Sequence, residues 1–283
     1  MATARTTIRH RGAGFGLIEL VVIMAVVGIL ASMVAAFILA PMQGYLDSTR
    51  RAVLVDIANT ALHRMARDIR LAVPNSVRVR QVAGVYYLEF LMIGEGGRYR
   101  EETDPTVPGS DKLDFANGTD DTFDILGPAI DMAAGDQVVI YNLGFDADTD
   151  AYLGGNRRAY SGAAGPVGQI HFTATGTPYR FESPGRRFFV ARTPVSYSCN
   201  PATGELRRFS SYAISGSQPT DPAGPPLNAG NSHLLATAVT GCNFSYDSGA
   251  FTGNLGQVTL WLQLTSEEES VSLYREMVVN NNA

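Results

Sequence analysis

Lysine is almost missing from this chain. Lys112 is the only one among 283 residues, and acids outnumber bases to give a net charge of −5. A protein that grips a phosphate backbone needs clustered basic residues on one face. No such patch is written here, so nucleic acid is not an expected partner. The arginines at 50, 51, 64, 67 and 70 share a helical stretch with Asp56 and Asp68 and read as a solvated face. Cysteine is scarce as well: Cys199 and Cys242 occur without a Cys-x-x-Cys or a histidine at ligand spacing, which leaves a zinc centre unsupported. The four histidines, at 10, 63, 171 and 233, are scattered, and His171 beside Phe172 reads as a core residue. No serine or cysteine stands in a nucleophile motif, and no pair of acids is set apart for proton transfer. Gly12-x-Gly14-x-Gly16 has the glycines of a phosphate cradle but no strand ahead of it. These absences point away from an enzyme.

Charge is also absent locally. From Phe15 to Ala40 the chain is apolar or small throughout, with one exception, Glu19. As a helix these 26 residues are about 39 Å long, enough to cross a hydrocarbon layer of ~30 Å with some tilt. A carboxylate inside that layer costs about 2.5–3.5 kcal/mol, so it needs a partner and a task. Ahead of the span, Arg5, Arg9 and Arg11 with no acid among residues 1–14 place the amino end in the cytoplasm. The run is longer than the core of a secretory signal, and no small-residue cleavage site follows Ala40. The polar-to-apolar switch falls instead at Gly14–Phe15. A cut there removes a basic leader and leaves a net charge of about −8. A plain membrane anchor in which Gly14 and Glu19 are incidental is the alternative.

Beyond the span, Pro41 and Gly44 mark a kink or loosening. Leu54, Ala58, Ala61, Met65 and Ile69 then recur at helical spacing over residues 41–73, ending near Val73-Pro74. The helix is either continuous from Phe15 to Val73 or broken in two at 41–44. Its apolar stripe requires a covering sheet. Strands are expected at 77–82 and 85–93 around Ala83-Gly84, at 137–143, 169–174 and 188–198, at 205–214 after a turn, and at two alternating runs through Val258–Leu264 and Val271–Val279. Residues 233–240 fit a strand or a short helix. Glu95–Thr122, Asp146–Gly168 and Ser215–Asn231 read as long surface loops, and no internal repeat is visible. One long helix followed by many short strands predicts an α+β fold with antiparallel pairing, residues 74–283 forming a β-rich head. With the inferred orientation, Cys199 and Cys242 face an oxidising compartment, where a disulfide is expected. Two buried thiols or half of a metal site are the alternatives. A bridge would close a loop of about 44 residues and stabilise by roughly 4 kcal/mol.

Arg11-Gly12-Ala13-Gly14-Phe15-Gly16-Leu17-Ile18-Glu19-Leu20 resembles the processing motif of type IV pilins and type II secretion pseudopilins. The resemblance implies cleavage after Gly14 by a membrane-embedded prepilin peptidase, methylation of Phe15 by the same enzyme, and Glu19 as the fifth residue of the mature chain. The family usually has Thr or Ser where this chain has Gly16. It also implies a head sheet packed on the outer half of the long helix. Tyr197-Ser198-Cys199, Leu206-Arg207-Arg208, Leu234-Leu235-Ala236, Cys242–Tyr246 and Leu71–Val79 are more narrowly similar to minor pilins of the mannose-sensitive haemagglutinin pilus, the MshO type. The implied partners are the prepilin peptidase, the major and other minor pilins, and an inner-membrane assembly platform. The implied location is the bacterial inner membrane, with a periplasmic head, and then a filament.

In that setting Glu19 acquires a mechanical reading. Cleavage creates a cationic amine on Phe15, and a neighbouring subunit's amine can reach the carboxylate as subunits stack. Pairing two charges at low dielectric is favourable chiefly against leaving either alone. Alternatively Glu19 snorkels to the headgroups. Asp146, Asp148 and Asp150 are spaced like the start of an EF-hand loop, and some pilin-like proteins bind calcium in surface loops. The sixth position is Ala151 and the twelfth Arg157, however, so a solvated acidic loop competes with a calcium site. Trp261, the only tryptophan, points by alternation to the outer side with Thr259 and Gln263. It either anchors a partner or packs under a loop. The bulk of 283 residues suits a minor pilin in filament initiation or at the tip. A minor pseudopilin of a type II secretion system, or a membrane-anchored adhesin or enzyme, are the other readings.

Overall fold

The computed structural model describes residues 16–251, 255–267 and 269–283. The chain forms two compact units, one ending at Arg50 and one running from Arg51 to Ala283. Helix α1 is Leu17–Ile69, and its assignment passes through Pro41 and Gly44 without a break. In its second half Leu54, Ala58, Ala61, Leu62, Met65 and Ile69 are all buried, the stripe that the three- and four-residue spacing predicts. The helix ends four residues before the expected Val73, because the chain beyond it is drawn into the sheet. Ala72 bridges Met92, the Val73 amide donates to the Leu91 carbonyl (2.8 Å), and the Ile93 amide donates to the Leu71 carbonyl (2.7 Å).

Fourteen strands follow among the described residues. They are β1 (Arg78–Val82), β2 (Val85–Arg98), β3 (Thr122–Asp124), β4 (Ile130–Met132), β5 (Gln137–Ile140), β6 (Arg157–Ala159), β7 (Gly165–Val167), β8 (Gln169–His171), β9 (Arg187–Asn200), β10 (Glu205–Ser210), β11 (Asn231–Ala236), β12 (Val239–Phe251), β13 (Leu255–Ser266) and β14 (Glu269–Asn280). The main sheet runs β1-β2-β9-β10-β11, with β5 and β6 extending it beside β9. A second sheet is β12-β13-β14, and β3-β8 and β4-β7 form two small ribbons. Every pair is antiparallel. The architecture is α+β and pilin-like.

The β1–β2 connection shows how local sequence fixes register. Val82 pairs with Val85, so only Ala83 and Gly84 lie between, and both have positive φ (49° and 83°), as a two-residue hairpin turn requires. The principal core lies where the helix stripe meets both large sheets. Leu88 and Phe90 of β2, Val195 and Tyr197 of β9, and Val258, Leu260, Leu262 and Leu264 of β13 all face it. Each fully buried aliphatic or aromatic side chain there contributes about 1.5–3 kcal/mol. A second core, in which Phe123 meets Phe172 in a tilted contact and Phe188 edge-on, sits under the shorter strands.

Several expectations are corrected. β12 is a full strand, whereas the expected strand or short helix at 233–240 reaches only its first two residues. The supposed loops at 95–122 and 146–168 contain the end of β2 together with β6 and β7. His171 is exposed; its neighbours Ile170 and Phe172 supply the core. Cys199 and Cys242 form a disulfide that ties the end of β9 to β12, and so one large sheet to the other. Both residues are buried in the principal core. The bridge spans a sequence separation of 43 residues. Replacing both cysteines by alanine is expected to lower head stability by about 4 kcal/mol from the chain-entropy term. Denaturant unfolding checks this, and a loss under 1 kcal/mol contradicts it.

Candidate functional site

Leu17–Val34 is long and apolar enough to cross a membrane. Its side chains are exposed within their own unit. Glu19 lies in the first turn, where a carboxylate is favoured by the helix dipole. It makes no hydrogen bond or ion pair through its side chain among the described residues, and its amide donates to the Gly16 carbonyl (3.0 Å). Gly16 has open space where a Cβ would project, so the small polar residue usual in the resembled family has room there. Gly14 and Phe15 lie outside the described residues.

Among the described residues Asp68, Glu89, Asp136, Arg158 and Arg208 are buried, and Asp68 is thereby corrected from the solvated helix face on which its sequence context sets it. Asp68, 5% exposed, sits on the inner side of α1 beside Ile69 and accepts from Arg208 Nε (2.7 Å) and the Tyr197 hydroxyl (2.8 Å). Arg208 also donates to Ser210 Oγ (2.9 Å). This cluster pins the end of the helix to β9 and β10. A buried pair of this kind stabilises little against an apolar substitute, but it fixes one geometry, since losing either partner strands the other. On the opposite face of the main sheet Glu89 is fully buried and accepts from Arg78 Nε (2.7 Å) and the Tyr212 hydroxyl (2.9 Å). Arg78 donates further to the carbonyls of Ser215 and Gly216, and its guanidinium lies 3.6 Å over the Tyr152 ring. Glu89 therefore holds the 211–218 segment against the sheet.

The acidic loop is tied up in its own backbone. Asp146 Oδ1 accepts from the amides of Asp148 and Thr149 and from the Thr149 hydroxyl. Asp150 Oδ1 accepts from the Tyr152 amide, and Asp148 lies 4.0 Å from Arg180. Among the described residues no group of three His, Cys, Asp or Glu side chains is placed to hold a metal. Trp261 lies on the outer side of β13, as alternation predicts, and is half-buried because its ring lies over Gly241. A Cβ at Gly241 would come within 2.8 Å of Trp261 Cη2, so the glycine makes room for the ring.

Residues 9–35 match the family model described as the prokaryotic N-terminal methylation motif. No curated protein and no solved structure gives a match to this chain. The matched segment contains Gly14, Phe15 and Glu19 and is about a tenth of the chain. Together with the apolar helix and the antiparallel head it supports a type IV pilin-like or pseudopilin subunit. The motif implies processing by a prepilin peptidase and assembly with other pilins, and the apolar helix fits a membrane-anchored pilin.

Burial pushes the Glu89 carboxyl above its ordinary range, and the Arg78 charge and hydrogen bond pull only partly the other way. The folded state thus holds this proton more tightly than the unfolded chain does. Its stability contribution is full below the unfolded pKa and is lost as pH rises through the folded value. Glu89→Gln is expected to remove that loss, so the variant gains on the wild type in melting temperature over a pH range that begins at the ordinary glutamate value and extends upward. A difference that stays flat across that range contradicts the assignment.

Proposed function

We propose that this chain is a minor pilin, a structural subunit rather than an enzyme, of the kind found in the mannose-sensitive haemagglutinin pilus. A prepilin peptidase cuts after Gly14 and methylates the new amino-terminal Phe15. Residues 15–40 hold the subunit in the bacterial inner membrane, with the head on the periplasmic side. Glu19 then pairs with the amine of an adjoining subunit as the filament forms. One observation supports this reading: residues 9–35 match the methylation motif, and in the sequence Gly14–Phe15 precedes the exposed apolar stretch Leu17–Val34, in which Glu19 is the one acid. The mixed head, with its two large sheets and two ribbons, suits a subunit of initiation or tip complexes better than a repeating shaft unit. A minor pseudopilin of a type II secretion system shares the same amino-terminal chemistry and is the second reading.

Pairing two charges is worth most when neither can reach water. Glu19→Ala is therefore expected to leave membrane insertion intact and to lower recovery in sheared filaments at least tenfold, quantified against wild type by immunoblot. Equal recovery of variant and wild type contradicts the assembly role.

A further inference from the structure

The helix face away from the core does not read as simple solvated surface once folded. Arg64, Arg67 and Arg70 line a groove of about 710 Å³ together with His63, Leu235 of β11 and Arg275 of β14. Arg64 and Arg67 lie one turn apart on α1, about 4.5 Å of helix rise, and Arg70 follows directly after its end. Arg64 is partly engaged by Asp68 (3.3 Å). The side chains of Arg67, Arg70 and Arg275 make no hydrogen bond or ion pair among the described residues. Helix-dipole compensation accounts for cations in the last turn of α1, but it does not account for Arg275. That residue stands opposite Leu260 on a strand whose alternate neighbours Leu273 and Met277 pack into the core. Its Nη1 is buried and unmet by any acceptor. The buried Nη1 is closed to any ligand, but the rest of this half-buried guanidinium lines the groove beside Arg67 and Arg70, where an anionic acceptor would offset the gathered positive charge.

We infer that this groove binds a carboxylate-bearing peptide segment of an adjacent filament subunit. A carboxylate matches the forked donors of arginine, and Leu235 offers an apolar contact to a side chain beside it. The short span of the cations suits a few acidic side chains. An extended polyanion would run on over a chain whose net charge is −5. The inference rests on the filament reading above, since that reading supplies the neighbour.

The test uses the full-length chain in its native cells, with a benzoylphenylalanine photo-crosslinker in place of Leu235. Cross-linked peptides are sequenced by mass spectrometry. The expected product joins position 235 to a segment with at least two Asp or Glu within six residues, from a protein carrying its own methylation motif. Arg67→Glu/Arg70→Glu is expected to cut its yield at least tenfold, and Arg275→Gln at least threefold. Arg67→Gln/Arg70→Gln repeats the test without adding acids. Thermal unfolding of each variant confirms that the head is intact. Cross-links to nucleic acid, lipid or segments without acids, yields unmoved by the variants, or no cross-link in filament-incorporated protein would each overturn the inference. Wild-type protein absent from sheared filaments would instead overturn the filament reading, so the two failures are told apart.

Discussion

A lone carboxylate in a helix long and apolar enough to cross a membrane sets the terms for the rest of this molecule. Glu19 is the only charge between Phe15 and Ala40, and the side chains around it are turned outward with nothing in their own unit to cover them. Lipid can solvate the leucines, valines and isoleucines of that stretch, but it cannot solvate the acid at less than about 2.5–3.5 kcal/mol. A subunit with this composition stays uncomfortable as a single molecule in a bilayer. It is relieved by any arrangement that brings a cation to the same depth. An amine generated at the membrane edge, on a neighbouring subunit of the same kind, is such a cation.

The second half of the same helix meets the opposite demand. From Leu54 to Ile69 its apolar stripe is consumed by protein, packed against strands from both large sheets. Two devices hold that contact in one geometry. The Cys199–Cys242 bridge joins the sheets beneath the helix. Asp68, received by Arg208 and Tyr197, fixes its last turn. Van der Waals packing alone would tolerate small rotations of the helix. A buried ion pair with short, directed hydrogen bonds does not. Within the compact unit that starts at Arg51, Arg64 and Arg67 of the helix thus line one groove with Leu235 of β11 and Arg275 of β14.

How much of this was legible in the sequence depends on the range over which the signal is written. The apolar span, the helix stripe, the Ala83-Gly84 hairpin and the strict alternation of Val258, Leu260, Leu262 and Leu264 are local patterns, and each appears where it was expected. Strand β12 alternates as well, with Cys242, Phe244 and Tyr246 inward. Its outward residues, among them Gly241, Asn243 and Asp247, are poor strand formers and hid the pattern. The three-residue strands β3, β4, β6, β7 and β8 are too short to carry any period. β3 pairs with β8 and β4 with β7, short strand against short strand, and β6 with the four-residue β5, so each depends on a partner that only folding supplies.

The candidate site divides in the same way. Glu19 stands out because its neighbours are uniformly apolar, and that contrast is visible along the chain. Asp68 and Glu89 look like ordinary surface acids in sequence. Their partners Arg208, Arg78 and Tyr212 are brought to them only by folding. Arg275 likewise gains its meaning from the helix arginines it joins across the fold. The whole account turns on whether an amine is made at Phe15. Mass spectrometry of the amino-terminal peptide of the membrane-extracted protein decides this most directly. The predicted result is a mature chain beginning with N-methylated Phe15; a chain that still begins at Met1 and retains Arg5, Arg9 and Arg11 would contradict it.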